Sequence, residues 1–142
     1  MIKSFTVKAF KSIPDLTIEL GQINVFIGAN GSGKSNILEA MGVLSAAASG
    51  IVDDESLMRR GVRPGVPDLY KTSFKNLNPS DCIFMEAQNE GAGYSVSLNY
   101  IEEKSQFSKP YKWIYKTEHF ADSGKTIMNR KAETRWGERG LA

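Results

Sequence analysis

The sequence predicts an α/β chain, more closely an α+β mixed sheet, and three observations carry that expectation. Short stretches of strict apolar–polar alternation lie on both sides of the chain's centre. One nearly all-apolar run, INVFI at residues 23–27, reads as a strand covered on both faces. A glycine-rich turn follows that run at once and opens a segment of helical period.

In order, residues 2–10 form the first expected strand, with Phe5, Val7 and Ala9 alternating with Ser4, Thr6 and Lys8. Pro14-Asp15 predicts a turn, and Leu16, Ile18 and Leu20 a second, half-buried strand. The two lie close enough for an antiparallel hairpin, and Gly21 ends the pattern. The run at 23–27 comes next, then GANGSGKS. Ile37, Met41, Leu44 and Ala48 share a helical face with Leu38 beside them, so a helix is expected over 34–49, stopped at Gly50. Residues 50–80 are rich in glycine and proline and read as an irregular excursion with a short helix near Glu55–Arg60. Three strand runs follow: 82–88, then Tyr94, Val96, Leu98 and Tyr100, then Tyr111, Trp113 and Tyr115. The link Asn89-Glu90-Gly91-Ala92-Gly93 suits a hairpin. No closing element is expected over 121–142. The expected organisation is one domain over 1–142, divided at 49, 80 and 120.

A chain of 142 residues can bury one real core and is short for two. A net charge of +2 is too small to argue by itself for a nucleic-acid partner and does not exclude a local basic face. The single cysteine, Cys82, excludes a disulfide framework within the chain and fits a reducing compartment. The N-terminus lacks the apolar run of a signal peptide, and no stretch approaches a membrane span. A cytoplasmic protein without a membrane partner is the expectation.

Gly28, Gly33, Lys34 and Ser35 satisfy G-x-x-x-x-G-K-[ST], between an apolar strand and a helix as that motif requires. Each residue has a physical reason. Glycines at 28, 31 and 33 let the backbone turn tightly and approach phosphate oxygens. The amides of Asn30, Gly31, Ser32, Gly33, Lys34, Ser35 and Asn36 can then point into one concavity, where the helix terminus adds partial positive charge, and Gly28 and Ala29 complete the nucleotide-binding set. Lys34 is placed to reach the β- and γ-phosphates, and Ser35 to offer its hydroxyl to Mg²⁺. ATP and Mg²⁺ are the expected ligands of this P-loop (Walker A) motif, with Ser35 the metal residue.

The segment INVFIGANGSGKSNILEAM resembles the first phosphate loop of the SMC/RecF-like branch of ABC-type ATPases, and AFKSI resembles the aromatic-[KR]-[ST] element ahead of it. The similarity extends to AAA-family ATPases of the overcoming-lysogenisation-defect and phage-defence kind, and covers about residues 1–45. The resemblance implies a P-loop NTPase fold, shaped like the N-terminal lobe of an ABC/SMC head with an antiparallel β-layer. It implies that Lys11 and Ser12 lie beside the nucleotide. It also implies partners: a homodimer or a second ATPase half, and DNA or an effector nuclease, in DNA repair or phage defence.

Other elements of that family are not found downstream. Ile51-Val52-Asp53-Asp54-Glu55 has too few apolar residues before its acids for a Walker B strand and reads as a solvated loop. Ser123-Gly124-Lys125-Thr126 imitates the loop but has His119, not glycine, five residues before Gly124. Gln88 and Gln106 are weak Q-loop candidates, His119 reads as structural, and no signature loop is present. The chain therefore reads as a first lobe that ends before its catalytic carboxylates, binding ATP with little turnover alone. The alternatives are a nucleotide-gated assembly module and a small P-loop kinase or GTPase. The late cations Lys125, Arg130, Lys131, Arg135 and Arg139 are interspersed with Asp122, Glu133 and Glu138 and read as a solvated segment. Tyr111, Trp113 and Tyr115 read as core.

Overall fold

The computed structural model describes residues 1–72, 82–102, 111–131 and 140–141. Gln106, Glu133, Arg135, Glu138 and Arg139 lie outside the described residues. Strands β1 (Ser4–Phe10), β2 (Ile13–Glu19), β3 (Ile83–Gln88), β4 (Ala92–Glu102), β5 (Tyr111–Asp122) and β6 (Lys125–Lys131) form one sheet in the order β2-β1-β3-β4-β5-β6. Each neighbouring pair is antiparallel. Helix α1 (Lys34–Ala48) packs on one face, and the shorter α2 (Asp54–Met58) packs against α1.

Alternation explains the sheet. Phe5 and Val7 on β1 stand opposite Ile18 and Leu16 on β2 and Ala87 and Met85 on β3, and this face continues through Val96 and Leu98 to Tyr115. These side chains meet α1 and form the core with Ile83, Tyr94 and Trp113. Trp113 and Tyr115 are buried, as their alternation predicts, whereas Tyr111 at the start of β5 is only half-buried and is not core. β6 extends the sheet over part of the tail for which the sequence suggests no element. It is built by the tight Ser123-Gly124 turn, where both residues have positive φ. The chain returns at Gly140 and Leu141: the Leu141 amide donates to the Ala48 carbonyl at 2.6 Å, and the Gly140 amide to Glu118 at 2.9 Å.

Three expectations are corrected. The first turn is at Lys11-Ser12, not Pro14-Asp15, and Pro14 lies inside β2. β2 is an edge strand, where a residue without an N–H is tolerated. Second, α1 is rotated from its expected face. Ala40, Val43, Leu44, Ala46 and Ala47 are buried, while Ile37, Met41 and Ala48 are only partly covered. Small residues let the helix approach two neighbours: Gly42 lies against Val62 and the Arg60 carbonyl, and Ala47 accepts a hydrogen bond from the Tyr115 hydroxyl.

Third, residues 23–27 are not a strand covered on both faces. Ile23, Val25 and Ile27 are 87%, 75% and 90% exposed, and no described strand pairs with the run. An apolar composition reports a preference for burial, but the antiparallel sheet has its edges at β2 and β6 and offers this segment no neighbour. The excursion, by contrast, is well anchored, with Val52, Leu57, Val62 and Tyr70 buried. No helix among the described residues is long and apolar enough to cross a membrane.

Candidate functional site

The glycine-rich loop of residues 28–33 joins the exposed run to α1. Gly31 and Gly33 have φ of +82° and +93°, left-handed values that L-residues adopt only at a cost. Gly28 gives room in a different way: a Cβ there would lie 2.8 Å from the Ser32 hydroxyl, which would have to turn aside. Gly33 is the N-cap of α1. The cap makes no side-chain hydrogen bond, and the first turn holds no acidic residue. The first amides of a helix have no partner within it, so this terminus suits an anion. The Lys34 ammonium donates to the Gly28 and Ala29 carbonyls at 2.8 and 2.6 Å, folding back over its own loop.

The β1–β2 turn reaches the end of this loop. The Ser12 hydroxyl accepts from Asn36 Nδ2 at 2.8 Å, and it lies 3.2 Å from where a Cβ on Gly33 would be. Lys11 beside it has a φ of +49°, and Ala9 one of +56°. The turn is pinned by the segment after α2, through Lys11 N–H to the Tyr70 carbonyl at 2.8 Å and Thr72 N–H to the Ala9 carbonyl at 3.2 Å. The Lys11 ammonium lies 4.8 Å from the centre of the Tyr70 ring. The Tyr70 hydroxyl donates to the Arg63 carbonyl at 2.7 Å. Burial, with the charges of Asp54 and Glu39, holds the Tyr70 phenol above its ordinary pKa.

Two charged residues at this place were not singled out by the sequence. Glu39 is 4% exposed and takes ion pairs from Lys11 and Arg63. Arg63 also donates to Asn36 Oδ1 at 3.3 Å. A signal for Glu39 exists in retrospect, since it shares the stripe of Ala40, Val43 and Ala47 that α1 buries. Arg63 has no such signal. Lys11, Ser12, Arg63, Gly65, Tyr70 and Lys71 line part of an open cleft of about 530 Å³.

The remaining candidates lie elsewhere. Asp53 caps α2, accepting from the Ser56 amide at 2.8 Å, so the expected solvated loop is a helix start. His119 is on β5 and 3.5 Å from Thr126, and Gln88 ends β3. Among the described residues no group of three or more His, Cys, Asp or Glu could hold a metal ion.

A family model described as "AAA ATPase domain" matches residues 1–135. An uncharacterized protein of Methanocaldococcus jannaschii is 37% identical over 82 residues, which is 54% of this chain and 37% of that protein. The DNA replication and repair protein RecF of Rhodococcus erythropolis is 38% identical over 60 residues, 42% of this chain and 15% of RecF. The chain thus spans well under two thirds of these relatives. A solved structure described under "ATP-driven dimerization and DNA stimulated activation of SMC ATPases" aligns with 89% of this chain and 72% of its own, at 21% identity and a TM-score of 0.47. By the match across residues 1–135, the chain belongs to the AAA ATPase domain family and carries a RecF-like segment.

Proposed function

We propose that the chain binds Mg·ATP at residues 28–36, as the nucleotide-binding lobe of an SMC/RecF-like ATPase. The observation that carries this is the uncapped N-terminus of α1, preceded by two left-handed glycines and followed by Lys34 and Ser35. Phosphate oxygens would take the amides of the loop, and Lys34 would exchange its two loop carbonyls for the β- and γ-phosphates. The residues fit Mg²⁺ in the way a phosphate-bound metal needs. Mg²⁺ binds largely through substrate phosphates and water, so one protein hydroxyl, Ser35, is enough beside them. Bound there, Mg²⁺ would neutralise phosphate charge.

Asn36, one residue beyond Ser35, donates to the Ser12 hydroxyl, and in this proposal the nucleoside would lie on that side. The cleft lined by Lys11, Ser12 and Tyr70 begins there. Lys11 and Ser12 therefore belong to the same site in this proposal. No described residue supplies a Walker B carboxylate pair, so the proposal is binding with little turnover by this chain alone. In the whole protein we infer coupling of the nucleotide state to a second ATPase half and to DNA or an effector nuclease, in repair or phage defence. The RecF relative's name supports the first of those settings.

A second reading, nucleotide-gated assembly, is favoured by one observation. The exposed apolar residues Ile23, Val25 and Ile27 run directly into the loop, so apolar surface lies beside the nucleotide.

Calorimetric titration of Mg·ATP tests the main proposal. The wild type should bind, and Lys34→Ala should not. Equal binding by both would remove the loop from the site, and no binding by the wild type would refute the proposal. Light scattering with and without Mg·ATP tests assembly.

A further inference from the structure

Five side chains close a ring at the end of the phosphate loop. Ser12 bonds Asn36, Asn36 bonds Arg63, Arg63 pairs with Glu39, Glu39 pairs with Lys11, and Lys11 is covalently next to Ser12. The ring joins three separate parts of the chain: the β1–β2 turn, the first two turns of α1, and the segment after α2. Its hub, Glu39, is almost wholly buried, while Arg63 is mostly exposed.

Stability alone does not account for this arrangement. Taking a carboxylate out of water is costly, and buried ion pairs commonly break even at best against apolar residues of the same size. Here a carboxylate is placed on the stripe of α1 that otherwise buries Ala40, Val43 and Ala47. A second observation is independent of the first. Two non-glycine residues, Ala9 and Lys11, hold left-handed backbone within three positions of each other, at the place where the turn meets the loop. Such strain persists only where the surroundings over-determine it, and it concentrates at functional sites.

We propose that Glu39 is the positioning residue of the nucleotide site: it holds Lys11 and Arg63 at the nucleoside end of the phosphate loop and ties the excursion to α1. This rests on the nucleotide-binding proposal above. Glu39 itself touches no nucleotide. Its carboxylate fixes where two cations stand, and Asn36 transmits that placement to the first turn of α1.

Charge makes the inference testable by sign. Glu39→Gln removes a negative charge close to where a triphosphate would sit. By electrostatics alone, that variant should bind Mg·ATP more tightly. As a positioning residue, Glu39 predicts the opposite, about tenfold weaker binding, the loss expected when one charge-assisted hydrogen bond is misplaced. The experiment is Mg·ATP calorimetry on the full chain with Glu39→Gln and Arg63→Lys, with thermal unfolding of each. Arg63→Lys keeps the charge but loses the planar fork that reaches both Glu39 and Asn36. It too should bind more weakly. Because Arg63 is largely exposed, its unfolding midpoint should barely move. Tighter or unchanged binding by Glu39→Gln would overturn the inference while leaving the nucleotide site intact. If Glu39→Gln does not fold, Arg63→Lys decides alone, and wild-type affinity there overturns the inference. Absence of binding by the wild type refutes the nucleotide proposal itself, and this inference with it.

Discussion

Substituting Ala for Gly33 tests whether the β1–β2 turn really abuts the phosphate loop. Gly31 is the internal control. Both glycines are left-handed, at +82° and +93°, so an Ala at either costs about 1–2 kcal/mol in backbone strain. A Cβ on Gly31 meets nothing within 4 Å, whereas one on Gly33 lies 3.2 Å from the Ser12 hydroxyl. That hydroxyl can yield only by loosening its bond to Asn36, worth about 0.5–1.5 kcal/mol. Gly33→Ala should therefore cost about 1 kcal/mol more than Gly31→Ala. For 142 residues the unfolding entropy makes this about a 3 °C difference in Tm. Denaturant melts of Gly33→Ala, Ser12→Ala and the double variant give the coupling directly. It should be close to 1 kcal/mol, with the second substitution relieving the first. Equal costs for the two glycines together with zero coupling would refute the contact, and with it the placement of Ser12 at the site.

Stability should fall at high pH. Burial first, then the hydrogen bond and charge of Glu118, push the Tyr94 phenol far above its ordinary value of 10.0, and Tyr70 is raised as well. Unfolded Tyr94 ionises near pH 10 while the folded phenol stays neutral. The stabilisation is thus complete below that pH and is lost above it, by about 1.4 kcal/mol per pH unit for Tyr94, with Tyr70 adding loss in the same direction. Denaturant melts between pH 9 and about 11 check this, and Tyr94→Phe should flatten the slope. Gly42→Ala should destabilise by about 1 kcal/mol net, since a Cβ would sit 2.7 Å from Val62 and 2.9 Å from the Arg60 carbonyl, a clash that outweighs the gain in helix propensity. An unchanged Tm would show that α1 does not pack closely on the excursion. Asp53→Ala should cost about 1 kcal/mol through loss of the α2 cap, read as lower hydrogen-exchange protection at Leu57, and a neutral result would disprove the capping box.

Much of the fold was legible because local patterns carry local physics. Alternation in residues 4–10 and 94–100 identified strands whose side chains divide between a covered and an open face. The glycines of residues 28–33 marked the tight turn into α1, because left-handed backbone such as that at Gly31 and Gly33 favours residues without a Cβ. The face of α1 was less legible, since Ala and Gly give a weak hydrophobic signal and yet allow the closest approach.

The amino-acid sequence by itself determined that this chain has a strand-rich body, one long helix, and a glycine-rich loop at the start of that helix. Those features rest on period, glycine placement and helix termini, which act within a few residues. Only the tertiary structure decided that residues 23–27 lie exposed, because cover for an apolar run comes from neighbours distant in sequence. It alone also brought Lys11, Glu39 and Arg63 together. Their pairing spans 28 residues on one side and 24 on the other. No local pattern encodes it: a buried carboxylate finds its cations only when the sheet turn, the helix and the excursion have packed.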